Sequence, residues 1–450
     1  RVKNCFYVDK TGFIREWWES EDVVTLIARP RRFGKTLNMN MLEKFFSVEY
    51  AGRSDLFEGL DIWKEEKYRR LQGAYPVVMV SFASIKETNY AMARRKICQI
   101  LTDLYIRYSF VQNSDVLTGG NDSTHPAFIV NGVQIPGFYY SKYQNVVHAV
   151  TNTEGYNVTA AYSLPGEDPA HDINFDTARA RCEAKGHGWH LSTNAEWAAI
   201  ALWCKKNGFM PYGNNNYGKD TRESNYKAIP LHKYTENSVT RTGRVATGTG
   251  PLTWSHDKTL GGIWDLNGNV WEWQAGIRFV WGELQILANN DAADPDNPQN
   301  ETSVCWKAIN AADGSLVEPE CTVSGSAKLS GNTVKLDYVS GKWTYSTTIS
   351  SLADQSRSCL FANVTCTAAI GAATKVLLRS LALLPDEGTT EASYEGDYYW
   401  LNNGVAERCV LRGGDWNSGA SAGVFAFNGD SRADVGWYVG FRSAYIPNIG

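Results

Sequence analysis

No apolar run in the 450 residues approaches the ~20 needed to cross a bilayer as a helix, which excludes a helical membrane span. No C-x-x-C pair occurs among the nine cysteines, so the chain spells neither a zinc site nor a fixed disulfide framework. Cys182 with Cys204, or Cys359 with Cys366, are pairs that an oxidising compartment would allow, and buried free thiols are the simpler expectation. A basic stripe is missing too. Residues 1–108 carry 19 Lys+Arg against 14 Asp+Glu, while the remainder carries 25 against 34. The larger part is therefore acidic, which argues against nonspecific nucleic-acid binding, and the asymmetry points to two modules of different origin. The chain opens at Arg1 without a signal-like apolar stretch, which decides nothing about localisation.

What is present is globular: 43% hydrophobic and 12% aromatic residues, with sixteen Trp and forty Gly. Large flat side chains alternating with tight turns suit a loop-rich fold that holds irregular backbone against aromatic anchors. The first module reads as alternating strand and helix. A short β-branched run, Val23 to Ile27, precedes a turn, after which Leu37, Met41, Phe45 and Val48 recur at helical spacing. Pro76 to Phe82 (PVVMVSF) predicts a strand covered on both faces, and a helix follows to about Tyr108. The polar stretch from Val111 to Thr124 predicts a linker, placed at 109–123.

Between that first strand and helix, Arg29 to Thr36 reads RPRRFGKT. Loop amides and a helix N-terminus would face an anion there, with Lys35 on the outer phosphates and Thr36 on Mg²⁺. Arg29 stands where the strict phosphate-loop motif has its first Gly. With Tyr7 to Thr11 (YVDKT) before it, the stretch resembles a family of predicted AAA-like ATPases. That resemblance covers 1–108 as a partial α/β P-loop module, and implies ATP and Mg²⁺ at Arg32, Gly34, Lys35 and Thr36. The acidic pair that positions metal and water in that family is absent downstream, which argues against hydrolysis and leaves nucleotide binding or a truncated remnant.

After the linker, Phe128 to Val133 and Phe138 to Tyr143 read as short strands. Phe175, Ala178 and Cys182 share one helical face. A second helix starts at the capping-box spacing Thr193-Asn194-Ala195-Glu196, buries Trp197, Ile200, Ala201 and Cys204, and stops at Asn207-Gly208. An insertion at about 276–400 contains a hairpin over Val334 to Thr348 and an apolar helix over Thr367 to Leu384, closed by Pro385.

Three stretches stand apart: GGIWDLNGNVWEW (Gly261 to Trp273), LRGGDW (Leu411 to Trp416) and VGFRSAY (Val439 to Tyr445). Together they resemble the formylglycine-generating-enzyme (sulfatase-modifying-factor) branch of the C-type-lectin fold. This implies an α+β, C-type-lectin-like domain over 124–450. Arg412 and Arg442 are expected to join carboxylates such as Glu272 in a buried network that locks the loops. Family members hold calcium at positions matching Asp265, Gly268, Val270 and Glu272, so the resemblance implies Ca²⁺ there; a tight turn bonded internally is the alternative. The oxidase members need a cysteine pair before the final Gly-Phe-Arg, and Arg432 to Arg442 contains none. His187 and His190 lack a third ligand and read as turn and core histidines. Catalytic residues are therefore not assigned.

The stretch Asp415 to Tyr438 (DWNSGASAGVFAFNGDSRADVGWY) sets small, polar and aromatic residues between fixed-looking anchors. It resembles the variable region of diversity-generating-retroelement target proteins, in which template adenines are randomised. Substituting both adenines of AAC never yields Lys, Glu, Gln or Met, and none occurs here. Trp437 requires another template codon. The expected ligand-contacting positions are Asp415, Asn417, Ser418, Ala420, Ser421, Phe427, Gly429, Asp430, Ser431, Ala433, Asp434, Val435, Trp437 and Tyr438. Their chemistry is that of an antibody paratope, with aromatic contact area and adaptable polar groups on a rigid scaffold. The resemblance implies a variable protein or glycan partner, on a host cell surface if the gene is phage-borne, and a location on a phage virion or bacterial surface; a cytoplasmic location is the alternative. Alternatives to recognition are a P-loop ATPase, an enzyme of the formylglycine-generating group, or a structural virion component.

Overall fold

The computed structural model describes residues 9–20, 35–47, 50–75, scattered positions between 77 and 100, 124–151, 157–223, 225 and 227–447. The chain divides into two compact units, Arg1–Tyr108 and Ser109–Gly450. The predicted strand at Val23 to Ile27 and the linker at 109–123 lie outside the described residues.

The first unit packs helices Gly12–Glu19 and Lys35–Phe46 around Ile14, Phe45, Phe46, Phe57, Ile62 and Tyr68. The expected helical stripe holds at Phe45 and fails at Leu37, which is exposed. The described residues of 77–82 form no strand; the one bridge nearby joins Ser47 to Tyr75, and Phe82 is exposed. A parallel strand needs a neighbour to pair with, and the sequence candidate for that neighbour is among the undescribed residues.

The second unit is mixed α and β, built on a large curled sheet of twelve strands. In chain order these are β1 (Trp271–Val280), β2 (Glu283–Ile286), β3 (Lys307–Ile309), β4 (Leu316–Val317), β5 (Ser330–Val339), β6 (Lys342–Thr348), β7 (Arg357–Leu360), β8 (Thr365–Cys366), β9 (Tyr398–Leu401), β10 (Arg408–Gly413), β11 (Gly423–Asp430) and β12 (Val439–Phe441). The main path runs β7-β9-β11-β10-β1-β2-β5-β6-β8, and β12 lies parallel to β1. Strands from the 276–400 segment thus flank the motif strands on both sides of one sheet.

Strand β1 is buried along nearly its whole length and serves two cores. Trp271, Trp273 and Ala275 belong to one; Ile277 and Phe279 belong to the other. Strict alternation would keep all five on one face. A bulge intervenes: Cys409 pairs with Arg278 while the next residue, Val410, pairs with Gln274, and Gly276 sits at φ +77°. An odd number of extra residues flips the faces.

Helix Phe175–Glu183 buries Phe175, Ala178 and Cys182, as expected. Helix Asn194–Lys206 carries the complete capping box, with Glu196 N donating to Thr193 Oγ1 and Thr193 N donating to Glu196 Oε2, both at 3.1 Å. Trp197 Nε1 donates to the Val424 carbonyl at 2.7 Å, pinning this helix to β11. The expected early strands are shorter than predicted, Ile129–Val130, Val133–Gln134 and Tyr139–Tyr140. A three-stranded sheet places Ser443–Tyr445 between Tyr139–Tyr140 and Trp189–Leu191. The seven described cysteines, including both sequence-allowed pairs, are free thiols.

Candidate functional site

In the first unit, Asp9 and Thr11 of the YVDKT segment form a clamp. Asp9 Oδ1 accepts from Thr11 N and Oγ1 at 2.8 and 2.7 Å, and Asp9 Oδ2 accepts from Asp61 N at 2.6 Å. Partial burial raises this carboxyl's pKa, but the donated hydrogen bonds outweigh it and hold it low. Thr36 is exposed in the first turn of helix Lys35–Phe46, where an anion-facing residue is expected. Arg32, Gly34 and the Lys35 side chain lie outside the described residues.

In the second unit the three Gly- and Trp-rich motifs converge. Arg442 Nε and Nη2 grip Glu272 at 2.9 and 2.8 Å, both groups fully buried, and Arg442 also donates to the carbonyls of Ser141, Trp264 and Asp265. Arg412 departs from expectation. Its Nε and Nη2 bond Asn194 Oδ1 and the Leu381 and Ala382 carbonyls, with no carboxylate partner among the described residues, and its guanidinium lies over Phe427. Burial brings its pKa down to about 10.

The expected calcium ligands do converge, but around an amide. Gln144 Nε2 stands 3.2 Å from the carbonyls of Asp265 and Gly268, 3.1 Å from that of Val270 and 3.0 Å from Glu272 Oε1. Its Oε1 accepts from Asn269 Nδ2 at 2.9 Å, which fixes the amide's orientation. The Asp265 carboxyl turns instead to Gly248 N, and burial pushes its pKa up to about 6. With an N–H₂ group at the centre and Arg442 alongside, the residues do not fit Ca²⁺, which needs an oxygen cage free of a competing cation. Gly268 belongs to this packing: at φ +78°, a Cβ there would fall 2.1 Å from the Asn214 carbonyl oxygen. His190 is a core histidine, bonded to Glu196 Oε1 at 2.8 Å and the Gly188 carbonyl at 3.0 Å. His187 is exposed.

The 415–438 positions divide by burial. Asn417, Ala420, Ala433, Val435 and Trp437 are exposed, and Ser418, Ser421, Asp430, Ser431, Asp434 and Tyr438 are half-buried. The other three are constrained: two are buried, and the half-buried Gly429 has no room for a side chain. Phe427 is fully buried and stacks on Tyr399 at 4.1 Å. Asp415 is buried, its Oδ1 accepting from Ser418 Oγ at 2.6 Å and Asn417 N at 3.2 Å. A Cβ at Gly429 would fall 2.2 Å from Leu401 Cδ1. Of the expected anchors, Trp416, Ala422, Gly423, Val424, Phe425 and Arg432 are buried, and Gly419 is only half-buried.

Two features of this surface have no counterpart in the sequence reading. A hairpin, Lys233–Glu236 with Val239–Thr242, sets His232 and Tyr234 each 5.0 Å from the Trp437 ring, nearly perpendicular, and Trp416 packs beneath at 4.9 Å. Its Asn237-Ser238 turn, with both residues at positive φ, was the available signal. Secondly, Ser431 and Ala433 border an open cleft of about 510 Å³ with Asn174, Asp176, Glu407, Arg408 and Arg432. Arg432 grips Glu407 twice at 2.9 Å and Asp176 at 2.8 Å, and Arg278 meets Glu407 at 2.9 Å. Burial raises the Glu407 pKa, and the two guanidinium groups outweigh it and hold the carboxyl low.

Residues 1–155 match the family model described as a predicted AAA-ATPase. The N-terminal part is similar to AAA-ATPases. The chain is also 34% identical over 97 residues to a protein of Azotobacter chroococcum mcd 1 named "Uncharacterized protein in vnfD 5'region". That stretch is 22% of this chain and 17% of the relative, so the chain spans a small fraction of that protein's length.

Proposed function

We propose that Ser109–Gly450 is a ligand-binding unit with a C-type-lectin-like fold of the formylglycine-generating branch, and that its 415–438 surface is a diversified recognition face. The observation that carries this reading is the split within one short segment. Anchors are buried in the sheet, pinned through Trp197 to Val424, while small, polar and aromatic side chains between them face solvent. Such a surface accepts substitution without disturbing the core, which is the requirement for a paratope on a rigid scaffold. The first and third motifs meet in the Arg442–Glu272 pair, and the second pairs with the first across neighbouring strands, which supports the fold assignment. The partner is a variable protein or glycan. Fold similarity alone does not make sugar the ligand.

The test is a display library randomised at Asn417, Ala420, Ala433, Val435 and Trp437. Most members are expected to fold, and binders to unrelated proteins or glycans are expected on selection. Wholesale loss of folding contradicts the reading.

The family match over 1–155 favours a second activity for the N-terminal part, nucleotide binding. Lys35 would meet the outer phosphates and Thr36 a Mg²⁺ ion, with Arg32 and Gly34 in the preceding loop. Without an acidic partner in the sequence, the reading stops at binding.

A further inference from the structure

The open cleft of about 510 Å³ at the edge of the 415–438 surface is walled largely by residues from outside that segment, and its charges do not all cancel. Arg432 is saturated: Nε and Nη2 donate to Glu407 at 2.9 Å, and Nη1 donates to Asp176 at 2.8 Å. The buried Arg278 donates to Glu407 as well, at 2.9 Å. These two guanidinium groups balance these two carboxylates. One cation and one anion are left on the wall, Arg408 and Glu301. We propose that the cleft binds a small zwitterion, with its carboxylate on Arg408 and its ammonium group on Glu301, as in a free amino acid or a short unblocked peptide.

Both of these charges are available to a ligand. Arg408 is half-buried and forms no ion pair among the described residues; its Nη1 donates to the Glu407 carbonyl in a long contact of 3.4 Å. The Asp430 carboxylate accepts from Ser431 N at 2.7 Å and stands outside ion-pair distance of Arg408. A guanidinium in this state offers a carboxylate two parallel donors. Glu301 is exposed, and its carboxylate forms no ion pair among the described residues. Its backbone is held in place: the Glu301 carbonyl accepts from Arg278 Nη1 and the Asn300 carbonyl from Trp306 Nε1, both at 3.0 Å. Val323, Val405, Ala406 and Ala433 line the same cleft and suit a small aliphatic side chain. The volume is that of a small-molecule site.

Selectivity follows from the two charges. A ligand with a carboxylate alone leaves Glu301 without a partner on the cleft wall, and one with an amine alone leaves Arg408 so. A zwitterion satisfies both, and either blocked form is penalised. Asp176, Glu301, Glu407 and Arg408 lie outside 415–438, so the site is the same whatever residues occupy the recognition face. It stands or falls independently of diversification there.

The test titrates the full chain by calorimetry with L-valine and with L-alanyl-L-alanine, each beside its N-acetylated and its C-amidated form. At least one zwitterion should bind, and its blocked forms should bind roughly ten- to a hundredfold more weakly. Tighter binding of L-valine assigns the site to a free amino acid, and tighter binding of the dipeptide assigns it to a peptide. Arg408→Gln should no longer distinguish the zwitterion from its amide, and Glu301→Gln should no longer distinguish it from its N-acetyl form. A merely structural role would move neither preference. No binding of either zwitterion at millimolar concentration, equal binding of the blocked forms, or wild-type selectivity in Arg408→Gln overturns the proposal. If Arg408→Gln does not fold, the exposed Glu301→Gln decides: loss of the preference over the N-acetyl form supports the site, and its retention overturns it.

Discussion

The guanidinium of Arg244 donates to the carbonyl of Trp437 at 2.9 Å. Its other nitrogens hold Asp168 at 2.8 and 3.1 Å, so the backbone under an exposed tryptophan is tied to a fixed ion pair. A surface aromatic on a restrained backbone offers contact area at small entropic cost on binding. Arg244→Ala should destabilise the unit by about 1–3 kcal/mol and raise amide hydrogen exchange over 434–438. Exchange unchanged in that segment would show that the contact restrains nothing.

The Arg442–Glu272 pair is fully buried, with Gln144 and the carbonyls of Ser141, Trp264 and Asp265 hydrogen-bonded to it. Replacing Arg442 by Met strands a buried carboxylate and should cost about 3–5 kcal/mol in urea unfolding. A cost below about 1 kcal/mol would mean that water or a rearrangement reaches the site.

Two buried carboxyls set a pH dependence. Burial raises Asp397 to about 7, against hydrogen bonds from Phe425 and Ala426 and the charges of Arg222 and Arg412. Burial likewise raises Asp265 to about 6. Unfolded, both return to about 3.9. Between those values the folded chain binds protons that the unfolded chain does not. Their contribution therefore favours folding at low pH, and it is lost as pH rises through about 6 and about 7. Asp397→Asn removes one of the two, so its stability should fall less than the wild type's between about pH 5 and about pH 8. Unfolding curves at stepped pH check this; parallel profiles contradict it.

At the N-terminal loop, Lys35→Ala should abolish Mg·ATP binding measured by calorimetry on the full chain, with no change in the thermal melt. Binding retained in that variant, or absent from the wild type, removes the nucleotide reading.

Local signals in the sequence carried far, and long-range ones did not. The helix Asn194–Lys206 was legible because its cap, buried stripe and stop all lie within one stretch. The hairpin of β5 and β6 was legible for the same reason, with its turn at Ser340-Gly341 in positive φ. The apolar run Thr367 to Leu384 reads as one helix, but only Ala372–Ser380 forms it; Ala382 turns left-handed at φ +51° and directs the following leucines into the core. Arg412 finds Asn194 from 218 positions away, and Gln144 fills the centre of the expected cation site from an unremarkable stretch. Neither partner has a spacing to read. Among the surface positions, residue type could not separate Phe427 from Trp437: Phe427 lies in the continuously buried part of β11, and Trp437 lies in the turn that follows it.

Codon-by-codon sequencing of this gene across its source population tests the recognition face most directly. The account predicts that substitutions concentrate at Asn417, Ser418, Ala420, Ser421, Asp430, Ser431, Ala433, Asp434, Val435, Trp437 and Tyr438, opposite adenines of a nearby template repeat, and spare Phe427, Trp416 and Arg432. Variation in those codons no greater than in β1 or β10, with no template repeat, would contradict it.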